Sequence, residues 1–184
     1  MYTQRVAGNP RNKTSDRESW RMILLVMGVT GAGKTTFGRL LAQRLGWQFL
    51  DADDFHSSGN IEKMKNGVSL TDGDREPWLD AIHAELMNCA AKNQNVVLAC
   101  SALKESYRKR LAAGLDFRIC YLKGTYDEIR KRLENRMGHF ASEAILAGQF
   151  ADLEESKDTI VLRVTATPEE SIREALRKLN FTSS

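Results

Sequence analysis

Alternation of short apolar runs with stretches of helical spacing predicts an α/β fold, a parallel sheet covered by helices on both faces. Two further observations support it. The stretch Gly28-Val29-Thr30-Gly31-Ala32-Gly33-Lys34-Thr35 fits G-x-x-x-x-G-K-[ST] between an apolar run and a helical pattern. The next apolar run ends in Asp51-Ala52-Asp53-Asp54, carboxylates placed where the strands of an open α/β sheet meet their ligands.

The elements follow in order. Met22–Met27 is a strand buried on both faces, and Phe37, Leu40, Leu41 and Leu45 mark the next helix, stopped by Gly46. Trp47–Leu50 is the second strand, and its extended continuation would point Asp51 and Asp53 to one side. Asn60–Asn66 reads as a short helix, Thr71-Asp72-Gly73-Asp74 as a turn, and a longer helix starts near Glu76-Pro77. Val96–Cys100, Phe117–Leu122 and Thr159–Val164 complete five strands. Between them lie a basic helix over Lys104–Leu111, one from Thr125 to about Arg136, and one over Glu143–Leu153. Thr167-Pro168-Glu169-Glu170 opens the last helix with an N-cap, proline at the first position and a capping box.

The glycine stretch carries a mechanism. Glycines let the backbone close on phosphate oxygens, and the helix that follows offers free amides and a favourable dipole to an anion. Gly28, Val29, Thr30, Gly31, Ala32, Gly33, Lys34, Thr35 and Thr36 are therefore the expected nucleotide contacts. Lys34 reaches the β- and γ-phosphates, and the Thr35 hydroxyl holds Mg²⁺. A guanine-reading N-K-x-D would identify a GTPase, but no Asn-Lys pair follows residue 13. An ATP-driven motor would end its third strand in acid, whereas Val96–Cys100 runs into Ser101. Asp51 and Asp53 suit one carboxylate near Mg²⁺ and one at an acceptor hydroxyl.

Composition narrows the class. The 184 residues, 42% hydrophobic and 28% charged, suit one globular domain, 21–184, behind a disordered leader, 1–20. The formal charge of +3 is matched by the surplus of Arg5, Arg11, Lys13, Arg17 and Arg21 over Asp16 and Glu18, so the rest is neutral. That balance predicts no nucleic-acid face, and no apolar run approaches the length of a membrane span, so no membrane partner is expected. Cys89, Cys100 and Cys120 lack metal or redox spacing and read as reduced thiols of a cytoplasmic protein.

Residues 22–180 resemble the gluconate kinases, small sugar-acid kinases with a phosphate loop. The resemblance rests on Met27–Thr35, Leu50–His56, Asn60-Ile61-Glu62-Lys63-Met64, and Leu70-Thr71-Asp72-Gly73-Asp74-Arg75 with Pro77-Trp78-Leu79. It continues through Cys100-Ser101-Ala102-Leu103-Lys104 with Tyr107-Arg108, Gly138-His139-Phe140, and Gln149-Phe150 with Leu153-Glu154. It implies ATP- and Mg²⁺-dependent phosphorylation of D-gluconate to 6-phospho-D-gluconate, on a five-stranded sheet of order 2-3-1-4-5 with a helical lid. A homodimer is compatible with it. The chain departs from the family's pattern at Ser57, Ala141-Ser142 and Glu155-Ser156, where relatives carry proline, and at Met137, where many are basic.

Within that resemblance Asp53 accepts or orients the proton of the attacking hydroxyl, and Asp51 sits nearer Mg²⁺. Arg75, Lys104, Arg108, His56, His139 and Gln149 are the expected sugar-acid contacts; arginine forks match carboxylates well. Lys104 and Arg108 equally fit a solvated helix face. Arg132 and Arg136 share a face near the Gly138 break, Arg132 toward the nucleotide and Arg136 toward the transferred phosphate. Arg132 also fits an ion pair with Glu128. A shikimate-type kinase and an ATP-binding module without turnover are the competing readings.

Overall fold

The computed structural model describes residues 21–135 and 143–181. Five strands, β1 (Met22–Met27), β2 (Gln48–Asp51), β3 (Val96–Ala99), β4 (Asp116–Lys123) and β5 (Ile160–Arg163), form one sheet of order β2-β3-β1-β4-β5. Every pairing is parallel, with β1 central between β3 and β4. Seven helices are described: α1 (Lys34–Leu45), α2 (Ser58–Lys65), α3 (Asp72–Ala91), α4 (Glu105–Ala112), α5 (Tyr126–Glu134), α6 (Glu143–Asp152) and α7 (Pro168–Lys178).

The period of two in β1 divides the core. Leu24 and Val26 face a cluster built with Phe37 and Leu41 of α1, Ile129 of α5, Leu146 of α6 and Ile172 of α7. Ile23, Leu25 and Met27 face the opposite cluster, with Leu79, Ile82 and Leu86 of α3 and Leu111 of α4. All five of those β1 side chains are fully buried, as a central strand with helices on both faces requires.

Two local expectations are corrected. The helix α3 begins at Asp72, not near Glu76. Thr71 and Asp74 form a reciprocal capping box: the Asp74 N–H donates to Thr71 Oγ1 at 3.2 Å, and the Thr71 N–H donates to Asp74 Oδ2 at 3.0 Å. That pair satisfies the first turn and carries the helix through Pro77, which lies inside it. The segment after β2 is likewise not extended. It winds into a 3-10 turn over Ala52–Phe55, N-capped by Asp51, whose Oδ1 accepts the Asp53 N–H at 3.2 Å. Asp51 and Asp53 are brought together by a cap rather than by strand alternation.

Candidate active site

The phosphate loop leaves β1 and enters α1 through Gly33, whose φ of 98° lies in the left-handed region that favours glycine. Gly31, with φ of 79°, allows α5 to close on the loop: a Cβ there would stand 2.8 Å from the Leu133 side chain. Among the described residues no side chain caps α1, and no acid stands in its first turn. Ser57, Thr71, Thr125 and Thr167 cap α2, α3, α5 and α7. The amides opening α1 thus retain the capacity to receive an anion.

Around that loop the expected nucleotide contacts gather. Lys34 Nζ donates to the Val29 carbonyl at 3.1 Å, folding back across the loop. The Thr35 hydroxyl donates to Asp51 Oδ2 at 2.7 Å. This hydroxyl–carboxylate pair offers the hard oxygen donors that Mg²⁺ takes alongside phosphate oxygens. No group of three or more His, Cys, Asp or Glu suited to a metal occurs among the described residues. Arg132 donates to the Val164 carbonyl, and its other terminal nitrogen lies 3.6 Å from the position of a Cβ on Gly33. It therefore bridges the loop and the end of β5 rather than pairing with Glu128.

Gln149 reaches the same loop from α6. Its side-chain carbonyl accepts the Thr30 N–H at 2.6 Å. The sequence places Gln149 with the sugar acid; the fold brings it to the third residue of the phosphate loop.

The acceptor side is built from α3, α4 and the segment before α4. Lys104 Nζ donates to both Asp72 oxygens, at 2.9 and 3.0 Å. The Tyr107 hydroxyl donates to the same carboxylate, and Arg75 approaches it at 3.4 Å. These donors, the Lys104 hydrogen bond foremost, hold the Asp72 carboxyl below the usual carboxylate range. Asp72 received no role from sequence. The signal was present: Thr71-x-x-Asp74 is a capping-box spacing that would have put Asp72 on the first turn of α3, facing Arg75 three residues on.

His56 stacks on Trp78 with ring centroids 4.6 Å apart, and the Trp78 indole N–H donates to the Ala52 carbonyl at 2.7 Å. Burial lowers the His56 pKa, opposed by the nearby Asp53 charge and reinforced by Arg75. His56 is thus a neutral imidazole at neutral pH, and its buried Nδ1 has no partner among the described residues. The three-way influence places His56 within electrostatic range of both Asp53 and Arg75.

Arg108 is different from its expectation. It is buried, and it donates to the carbonyls of Ala102 at 2.9 Å, Leu103 at 2.7 Å and Glu154 at 2.8 Å. It is neither on a solvated face nor open to a substrate carboxylate. It ties the strand end that carries Lys104 to the segment after α6. Arg136 and His139 lie outside the described residues.

Comparison with known proteins agrees with this geometry. Residues 23–158 match a family model described as an AAA domain. A protein described as a probable gluconokinase from Mus musculus is 47% identical, over 72% of this chain and 82% of its own length. A gluconokinase from Gluconobacter oxydans is 41% identical, over 84% and 89%. The crystal structure of a gluconokinase from Sinorhizobium meliloti 1021 superimposes with a TM-score of 0.78 at 36% identity, covering 88% of this chain and 93% of that one. A shikimate kinase from Aquifex aeolicus, at 18% identity and a TM-score of 0.57, shares the fold. With its phosphate loop, paired aspartates and basic acceptor side, the chain belongs to the gluconokinase family.

Proposed function

We infer that this protein transfers the γ-phosphoryl group of ATP to D-gluconate, forming 6-phospho-D-gluconate. What carries the reading is the juxtaposition, at the carboxyl ends of the strands, of a phosphate loop leading into an uncapped α1 and a side lined by Arg75 and Lys104, in a member of this family. Phosphoryl transfer asks a protein for alignment and charge neutralisation more than for covalent chemistry. Thr35 and Asp51 would hold the Mg²⁺ of a bound Mg²⁺-ATP, which would supply the activated phosphoryl group. Lys34 neutralises phosphate charge, and Asp53 orients the attacking hydroxyl and takes its proton. Arg132 steadies the nucleotide from the α5 side, while Arg136 and His139 are assigned to the transferred phosphate and the substrate. His56, neutral, offers a hydrogen bond rather than a charge.

The shikimate reading has the support of the fold alone. A module without turnover would not require Lys34, Thr35, Asp51 and Asp53 together. The buried thiols of Cys89, Cys100 and Cys120 fit a reducing, cytoplasmic setting. Among the described residues no helix is long and apolar enough to cross a membrane. A homodimer remains part of the proposal, checked by light scattering.

A coupled ADP-release assay across gluconate, glucose and shikimate tests the assignment. Neutral glucose offers no carboxylate to the cations of the acceptor side. Gluconate should therefore exceed glucose by at least about a hundredfold in kcat/KM, from roughly 3 kcal/mol for a charge-assisted contact. Equal use of the two sugars, or turnover of shikimate alone, would overturn the sugar-acid reading.

A further inference from the structure

Two of the residues expected to contact the sugar acid, Arg75 and Lys104, already hold a carboxylate. Arg75, Lys104 and Tyr107, from α3, the segment before α4 and α4 itself, converge on the side chain of Asp72. The donors are embedded and the acceptor is not: side-chain exposure is 23% for Arg75 and 25% for Lys104, against 63% for Asp72. Both cations also lie over the Tyr107 ring, 5.9 and 5.6 Å from its centroid. The basic wall is thus fixed by packing, and the carboxylate rests on its solvent side.

Charge makes this arrangement exclusive. Asp152 of α6 stands 3.9 Å from Lys104, so two cations face two carboxylates. A further anion arriving beside the pair would find no net positive charge. One that replaced Asp72 would inherit its donors, with Asp72 free to turn into water from the first turn of α3.

We propose that Asp72 and the carboxylate of the sugar acid compete for one set of donors, so that Asp72 is a specificity-determining residue that substrate displaces. The inference rests on the gluconate assignment. Competition of this kind weakens every carboxylate ligand, but it keeps Arg75 and Lys104 paired, oriented and closed to weakly bound anions. A neutral sugar cannot displace an ion-paired aspartate, so the device adds to discrimination against glucose.

Calorimetric titration of gluconate into the full chain tests the proposal, comparing wild type with Asp72→Asn. The Kd and the KM for gluconate should both fall about fivefold, the upper end for release of an exposed ion pair. An unchanged or weaker Kd in Asp72→Asn overturns the proposal and makes Asp72 a permanent clamp that positions the cations. A second measurement needs no variant. At pH 7, saturating gluconate should move the carboxyl ¹³C resonance of Asp72 in wild type toward that of a solvated carboxylate. A resonance left unmoved with gluconate bound also overturns it. Wild-type turnover of gluconate, measured beforehand, separates failure of this inference from failure of the substrate assignment.

Discussion

The two halves of the site are made of different materials. The phosphate side is largely backbone: glycine conformations, the open amides of α1, and a carbonyl that receives Lys34. The acceptor side is made of long charged side chains from α3, α4 and the segment before α4, which meet each other before they meet a ligand. Backbone amides cannot be lost by substituting a side chain, and their dipoles are fixed by the fold. Side-chain charges can be removed one by one, screened, or protonated. The halves should therefore fail in different ways.

The sharpest contrast is between two cations that each donate to backbone carbonyls. Lys34 serves the loop and its ligand, so Lys34→Ala should fold with an unchanged melting temperature while kcat falls at least about a hundredfold, as for loss of a key electrostatic group. Normal turnover in a folded Lys34→Ala protein would remove the phosphate loop from the mechanism. Arg108→Met should do the reverse. The carbonyls of Ala102 and Glu154 lose their donor, while that of Leu103 keeps the Glu154 N–H at 3.0 Å, at a cost of about 3 kcal/mol, which is a fall in Tm of roughly 6–12 °C for a domain of this size. A folded Arg108→Met protein with normal Tm but a selectively raised KM for gluconate would restore the substrate role that the burial of Arg108 argues against.

Legibility follows the same division. The glycine loop, its strand and its helix are consecutive in the chain, so their geometry is written locally and the motif reads it directly. The sheet order came with the resemblance to gluconate kinases, and the alternation of elements was readable from periodicity. On the acceptor side, Arg75, Lys104 and Arg108 were visible as basic residues, but of their partners only Asp72, three residues before Arg75, lies at a spacing that reads locally. Nothing in the spacing shows that Arg108 turns inward to the carbonyls of Ala102 and Glu154, or that Lys104 finds Asp72 thirty-two positions away. Asp51 and Asp53 were identified for the wrong geometric reason, because an aspartate at a strand end caps the next turn more readily than it continues the strand.

The smallest effect concerns how the acceptor side is braced. Asp74 accepts from Lys63 at 2.7 Å and from the Thr71 N–H and hydroxyl at 3.0 and 2.9 Å. Those contacts, the Lys63 bond first, bring its pKa down from 3.8 to about 2. A carboxyl that is more acidic when folded stabilises the fold above its unfolded pKa, and that stabilisation is lost as pH falls through the folded value. Its contribution should thus be complete at neutral pH, begin to decline near 3.8 and vanish below about 2. Asp74→Asn keeps an acceptor for the Thr71 N–H but removes the charge. At pH 7 its urea midpoint should lie slightly below that of wild type, by an amount that shrinks in high salt as the Lys63 pair is screened. Below pH 3.8 the two midpoints should converge. A gap that stayed constant through that window would mean that the carboxylate braces α3 by geometry alone, and the acceptor side would then resemble the phosphate side more than its charges suggest.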